Sequence, residues 1–303
     1  MLSFSTCQGI FINFTLLFSR CNIAIIFEMT KFPGRKLQFG YFFCKSKVLF
    51  TKFSGKDLHN SGNSPNFAFD RRKESIIMLT ICPIKTVNNH IIIDDGQNIL
   101  VDTGSPVSFH KSGILVLGNT RINVFSSLPM LSTEFLSVNI GCRIDGLLGM
   151  DLMNRVPTSV RLNDGIMVFD DDARYSTQFQ MYPLSIVAGG LLAIRISVNH
   201  KEVKMVVDTG AQISYIREEF IRGLELDKTM DDFSPYNCSF KTDTYICEVD
   251  TLIGHPPFSQ RFGIPPKEIL SILDLFQADG IIGIDLFRRY DLQIRGGALY
   301  TNG

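Results

Sequence analysis

Ile99-Leu100-Val101-Asp102-Thr103-Gly104-Ser105 and Met205-Val206-Val207-Asp208-Thr209-Gly210-Ala211 are two copies of one phrase. Each sets three apolar residues before Asp-Thr-Gly, and the copies continue alike, Val107-Ser108-Phe109 against Ile213-Ser214-Tyr215. A second pair follows in the same order. Asp145-Gly146-Leu147-Leu148-Gly149-Met150-Asp151-Leu152 is matched by Asp279-Gly280-Ile281-Ile282-Gly283-Ile284-Asp285-Leu286. An arginine comes after each (Arg155; Arg288 and Arg289), and then a strand-like run, Ile166–Phe169 and Ala298–Tyr300. A single Asp-Thr-Gly arises by chance in about one chain in twenty of this length. Two, each followed by Asp-Gly-apolar-apolar-Gly, are an internal repeat.

The repeated residue types point to a chemistry. Three apolar residues ending in Asp-Thr-Gly put a carboxylate where a buried strand stops and turns. The glycine permits a close backbone approach, and the threonine can fix the loop by local hydrogen bonds. If two such loops meet, Asp102 and Asp208 face each other, and two touching carboxylates share one proton rather than both ionising. The charged member can take a proton from a water held between them while the protonated member hydrogen-bonds a substrate carbonyl. That is acid–base hydrolysis of an amide with neither a metal nor a covalent nucleophile. A different reading makes both aspartates loop-capping carboxylates of a domain that hydrolyses nothing.

The paired Asp102-Thr103-Gly104-Ser105 and Asp208-Thr209-Gly210-Ala211, with Leu147-Leu148-Gly149 and Ile281-Ile282-Gly283, resemble the pepsin/retropepsin superfamily of aspartic peptidases. The likeness covers about residues 80–303, in a compact single-chain form. It implies a mostly β fold with two homologous acid-protease lobes of the closed β-barrel type around a central cleft. It also implies one catalytic aspartate from each lobe, Asp102 and Asp208. Thr103 and Thr209 would join a hydrogen-bond grip across the dyad, supported by Gly104, Ser105, Gly210 and Ala211. Leu147, Leu148, Gly149, Ile281, Ile282 and Gly283 would thread beside the catalytic loops. The implied function is an aspartic endopeptidase acting on an extended polypeptide, and the alternative is a peptide-binding or scaffold protein on the same fold.

Spacing separates the copies. Asp102 to Gly149 spans 47 positions and Asp208 to Gly283 spans 75, so the first copy is 28 residues shorter where the family builds a flap over its cleft. No Tyr-Gly flap signature lies between Phe109 and Ile144; a short hairpin is expected over Ile114–Phe125, turning at Gly118-Asn119. In the second copy Tyr236–Asp250 alternates well enough to be a longer hairpin and could cover the cleft from that side. Pro106, after Ser105, removes a backbone donor.

Away from the repeat, short β-branched runs punctuated by Gly, Asn and Asp predict strands at His90–Ile93, Ile99–Val101, Ile114–Leu117, Ala193–Val198 and Lys204–Val207. Helices are expected over Arg217–Leu226 and Pro266–Phe276. The 303 residues carry 30 basic and 30 acidic side chains. This neutrality hides segregation: residues 1–75 carry +7 and residues 76–303 carry −7. The expected organisation is a basic, Phe-rich extension over 1–75, one lobe over 76–174 and another over 175–303. Without sustained periodicity, the extension reads as poorly structured or not part of the fold, with Met78 as an alternative start. Residues 10–27, interrupted by Asn13, Arg20 and Asn22, are the sole candidate for membrane association.

Other chemistries find little support. The seven cysteines form no CxxC and are odd in number; Cys238 and Cys247 could sit on opposite arms of one hairpin, but buried free thiols are the favoured reading. Free thiols favour a reducing compartment, so a cytoplasmic location is the favoured expectation, with membrane anchoring by the N-terminal segment as the alternative. The five histidines fall near no repeated motif. Asp170-Asp171-Asp172 lacks calcium-loop spacing. No metal, cofactor or nucleic-acid partner is expected; the partner would be a polypeptide substrate, and a monomer fits the fused duplicate.

Overall fold

The computed structural model describes residues 2–5, 10–19, 22–31, 35–44, 47–53, 79–128, 131–169, 180–234, 238–250, 256–295 and 298–302. Residues 1–74 and 75–303 are separate compact units. In the first, strands Leu2–Ser5, Ile10–Ser19, Asn22–Lys31, Arg35–Cys44 and Lys47–Phe53 pair antiparallel in chain order. The expectation of a poorly structured extension differs from this backbone. Alternation tests for a face turned to a core, whereas Ile, Phe, Tyr and Thr favour extended chain whether or not they alternate. The membrane candidate, 10–27, is divided between two of these strands. No helix among the described residues is long and apolar enough to cross a membrane.

The second unit is mostly β. One sheet of ten strands runs, edge to edge, Gln180–Pro183, Ala298–Asn302, Asp291–Arg295, Thr158–Arg161, Ile166–Phe169, Thr80–Val87, His90–Asp94, Asn98–Val101, Gly146–Leu148, Phe109–His110. A sheet of eight runs Ser185–Ile186, Leu192–Val198, Lys201–Val207, Gly280–Ile282, Ser214–Ile216, Phe258–Gly263, Cys238–Asp250, Lys228–Ser234. Ile114–Leu117 and Thr120–Asn123 form the short hairpin expected in the first copy, with Gly118 at φ 54°. Strands from both sides of residue 174 share the larger sheet, because Asp291–Arg295 pairs with Thr158–Arg161.

The apolar triplet before each Asp-Thr-Gly is explained by burial on both faces of its strand. Ile99 and Val101 point into the large core, whereas Leu100 turns the other way onto Leu136 and Ile140. Met205 and Val207 likewise enter the large core, and Val206 packs on Ile269 and Leu273. Leu136 and Ile140 belong to the helix Thr133–Ile140, and Ile269 and Leu273 to the helix Lys267–Phe276. Each copy therefore closes its outer face with one helix just before its Asp-Gly-apolar-apolar-Gly.

Only the second helix is anticipated by the sequence reading. The first is marked by end signals rather than length: the Ser132 hydroxyl accepts from Phe135 N–H, and Gly141 ends it at φ 80°. Over Arg217–Leu226 only a single turn forms, Glu218–Phe220, since Arg217 is extended and Gly223 has φ 90°. Cys238 and Cys247 lie on one strand, not on opposite arms, which excludes a bridge between them. Cys82, Cys142 and Cys247 are free thiols, and burial pushes Cys82 up to about 11.

Replacing buried Leu273 with Ala removes the contact between helix and triplet and should destabilise by about 2–5 kcal/mol in urea unfolding. The half-exposed Leu275→Ala on the same helix should cost about 0.5 kcal/mol or less.

Candidate active site

Each Asp-Thr-Gly loop begins where its strand is held by a parallel neighbour. Leu148 lies opposite Val101 and Ile282 opposite Val207. Asp102 N–H donates to Leu148 O at 3.0 Å, and Asp208 N–H to Ile282 O at 3.0 Å. The turns close alike, Ser105 N–H to Asp102 O and Ala211 N–H to Asp208 O. Behind them, Met150 N–H donates to Ser105 O and Ile284 N–H to Ala211 O. Gly149 N–H donates to Ser108 Oγ and Gly283 N–H to Ser214 Oγ, at 2.8 and 2.9 Å. The two copies repeat one wiring, in which Asp102, Ser105, Leu148 and Gly149 have Asp208, Ala211, Ile282 and Gly283 as their counterparts.

The loops then meet through their threonines. Thr103 Oγ1 donates to Val207 O at 2.8 Å and accepts from Thr209 N–H at 2.9 Å. Thr209 Oγ1 donates to Val101 O at 2.7 Å and accepts from Thr103 N–H at 3.0 Å. Both threonines are fully buried, so each hydroxyl fills both of its roles within the protein.

This reciprocal arrangement brings Asp102 and Asp208 within hydrogen-bonding reach of each other. Gly104 N–H donates to Asp102 Oδ1 and Gly210 N–H to Asp208 Oδ1, both at 2.8 Å. The glycines are required for space. A Cβ on Gly210 would lie 2.7–3.0 Å from the Asp102 carboxyl atoms, and one on Gly104 would run into the Asp208 carboxylate. Burial, and then the Asp208 charge, hold Asp102 well above the usual carboxylate range. Burial also raises Asp208, while Gly210 N–H and a hydrogen bond from Asp102 pull the other way. Burial therefore raises both members of the pair.

The other repeated aspartates support the loops. Asp145 Oδ2 accepts from Asn98 N–H at 3.1 Å, and Asp279 Oδ2 from Lys204 N–H at 2.8 Å. Burial opposes Asp145 ionisation, but Lys111, Asn98 N–H and Arg143 outweigh it and hold the group at about 2. Asp151 accepts from Ser108 Oγ. Asp170-Asp171-Asp172 lies outside the described residues. No cluster of metal-ligating side chains occurs among those described.

The histidine reading requires correction, because His90 and His110 both lie against the repeated motifs. His110 sits opposite Gly146. His90 is buried with Nδ1 2.8 Å from Asn88 O, its ring 5.8 Å from Phe233, and the Gly210 backbone beside it. Burial lowers its pKa. Phe233 belongs to the hairpin of Lys228–Ser234 and Cys238–Asp250; the hairpin expected within Tyr236–Asp250 is, from Cys238 on, a single strand paired with Lys228–Ser234, and Tyr236 lies outside the described residues. Phe233 also packs edge-on against Phe135 of the first copy.

One further carboxylate is not legible in the sequence. Buried Asp232 accepts from Gln212 Nε2 at 2.6 Å, from Phe233 N–H at 2.8 Å and from Tyr215 Oη. Burial raises Asp232, and burial with the Asp232 charge raises Tyr215. Asp232 lies in no motif; only folding the hairpin back onto Tyr215 joins it to the dyad loop.

The chain is similar to a retropepsin-like aspartic protease from Rickettsia conorii, at 20% identity over 41% of this chain and 88% of that one, with a TM-score of 0.29. It is similar also to basic 7S globulin from soybean, at 10% identity over 75% of this chain and 96% of that one, with a TM-score of 0.43. No family model and no curated protein matches it.

Thr209→Val keeps the volume but leaves Val101 O and Thr103 N–H without partners in a buried place. It should cost about 1–3 kcal/mol for each group in chemical denaturation, and Thr209→Ser, which keeps the hydroxyl, should recover most of the loss.

Proposed function

We propose that residues 76–303 form an aspartic endopeptidase of two lobes, 76–174 and 175–303, that hydrolyses an extended polypeptide with Asp102 and Asp208 as the catalytic pair. The observation that carries this reading is the buried carboxyl pair held face to face by reciprocal threonine bonds. A loop-capping aspartate needs no second carboxylate opposite it, and burying two acids together opposes folding unless a function retains them.

The chemistry follows from the shared proton. The ionised carboxyl accepts a proton from a water lying between the pair as that water attacks the scissile carbonyl carbon. The protonated carboxyl donates to the carbonyl oxygen, giving a neutral gem-diol. Return of a proton to the amide nitrogen then breaks the C–N bond. The same logic operates in acid proteases generally, where two aspartates share one proton because adjacent like charges cannot both ionise. The hairpin of Lys228–Ser234 and Cys238–Asp250 would serve as the cover over the cleft, from the second lobe rather than the first.

The shorter Ile114–Leu117 and Thr120–Asn123 hairpin favours a second reading, peptide binding without cleavage, because the first copy offers less backbone to an extended substrate. The assay that separates them incubates purified chain with an unfolded polypeptide between about pH 3 and 8, the range of carboxyl titration. Cleavage that is lost in both Asp102→Asn and Asp208→Asn supports the peptidase; retained cleavage in both variants excludes this pair. A bell-shaped rate profile is expected, its alkaline limb above the usual carboxylate range because burial raises both groups.

The pair also makes a stability prediction. A carboxyl raised in the folded state contributes stability below its unfolded pKa, and that contribution is lost as pH rises through the folded one. Asp102→Asn removes this loss. The variant should therefore gain melting temperature relative to wild type at about pH 7 and gain less at about pH 4.

A further inference from the structure

A cavity of about 430 Å³ opens beside the second Asp-Thr-Gly loop, where Gln212 and the hairpin residues Asp231, Asp232, Phe233 and Ser239 meet Asn88, Asn89 and Asn139 of the first copy. That volume lies in the range of about 300–1,000 Å³ in which proteins hold small ligands or single long side chains. Its charge and hydrogen-bonding character follow from what its four amides do.

Asn88 Nδ2 donates to Ile140 O at 2.9 Å, Asn89 Nδ2 to Gln212 O at 3.3 Å and Asn139 Nδ2 to Phe135 O at 2.8 Å. Gln212 Nε2 donates to Asp232 Oδ1 at 2.6 Å and to Asp231 O at 3.3 Å. Every one of those partners can only accept, which fixes each amide with its nitrogen toward the protein. The capacity left over is carbonyl oxygen on Asn88, Asn139 and Gln212 and one N–H on each of Asn88, Asn89 and Asn139; the Asn89 oxygen accepts from Arg288 at 2.7 Å.

Two aspartates are also among the lining residues. Asp232 is engaged by Tyr215, Gln212 and Phe233 N–H, whereas Asp231 is largely exposed and faces only Lys241, at 3.9 Å. A contact that long between two exposed groups is weak. Neither Lys241 nor Arg288 lines the cavity, and Phe233 supplies an aromatic wall on which a planar cation can stack. The site is thus polar, with acceptors beside amide donors, acidic and partly aromatic.

We infer that this cavity is a subsite for a basic side chain, arginine or lysine, of the polypeptide, and that Asp231 selects it. The inference rests on the peptidase reading for its meaning in catalysis, but it concerns binding and can be tested without cleavage. The guanidinium or ammonium group would donate to the Asp231 carboxylate and to the free amide oxygens, with its aliphatic stem against Phe233. Position favours a role in substrate choice, because Gln212 follows Gly210-Ala211 directly and Asp232 lies close enough to raise Asp208.

The test uses the full chain carrying Asp208→Asn, with Asp102→Asn as the substitute if the first is unstable. The probes are fluorescein-labelled nonapeptides in which one arginine is moved through successive positions of an otherwise alanine and leucine sequence. A matched set carries citrulline, neutral but of the same shape, at each position. Anisotropy should show one or a few positions at which arginine binds about tenfold tighter than citrulline, as a charge-assisted contact of this kind would give. Asp231→Asn should bring that ratio close to one while citrulline peptides bind as before. Equal binding of arginine and citrulline peptides at every position, an unchanged ratio in Asp231→Asn, or no binding of any peptide overturns the inference. Failure of the peptidase reading looks different: wild type would bind arginine peptides with the stated preference and cut none of them.

Discussion

Two threonine hydroxyls, each reaching across to the other copy, are the constraint on which the centre of this protein depends. Thr103 and Thr209 both donate to the strand that precedes the opposite aspartate and accept from the opposite threonine's N–H. The four bonds leave no freedom for one loop to shift without the other. They set the separation at which Asp102 and Asp208 interact, and glycine at 104 and 210 is the only residue that leaves room for the facing carboxyl. The mutual repulsion and burial of two acids would otherwise push the loops apart. Bonds between buried, mutually satisfied partners are well suited to resist that, since breaking any one leaves a donor and an acceptor in a place water does not reach.

The surrounding fold then serves to hold the loops still. The triplets Ile99–Val101 and Met205–Val207 are buried on both faces, one side in the shared core and the other under a helix. Gly146–Leu148 and Gly280–Ile282 lock them from the side. Asp145 and Asp279 also tie down these strands, accepting from Asn98 N–H and Lys204 N–H. A site built on rigid elements in this way needs little rearrangement to present a carboxyl pair. The asymmetry lies outside this frame, in the 28 residues by which the second copy exceeds the first, and these hold the hairpin that brings Asp231, Asp232 and Phe233 to the site.

What the sequence made legible is the part encoded by repetition. The strand bounds Ile114–Leu117 and Ile166–Phe169 follow from motif and pattern, because local geometry there depends on residues close in the chain. The helix Thr133–Ile140 was hidden because it is short and announced only by Ser132 and Gly141. Asp232 and His90 were hidden for another reason. Their burial against Tyr215 and Phe233 arises from contacts between segments far apart in sequence, for which neither spacing nor composition carries a signal. The strands over residues 2–53 show the converse limit, that strand-forming residues need no alternation to extend.

The central claim is that Asp102 and Asp208 hold one proton in common. Carbon-13 NMR titration of the labelled aspartate carboxyls tests it most directly, with the two resonances assigned by Asp102→Asn and Asp208→Asn. A shared proton predicts two separated steps belonging to the pair, one proton being retained well above the ordinary aspartate value of about 3.9. Two independent titrations near that value, each unchanged when the other aspartate is replaced, would contradict it.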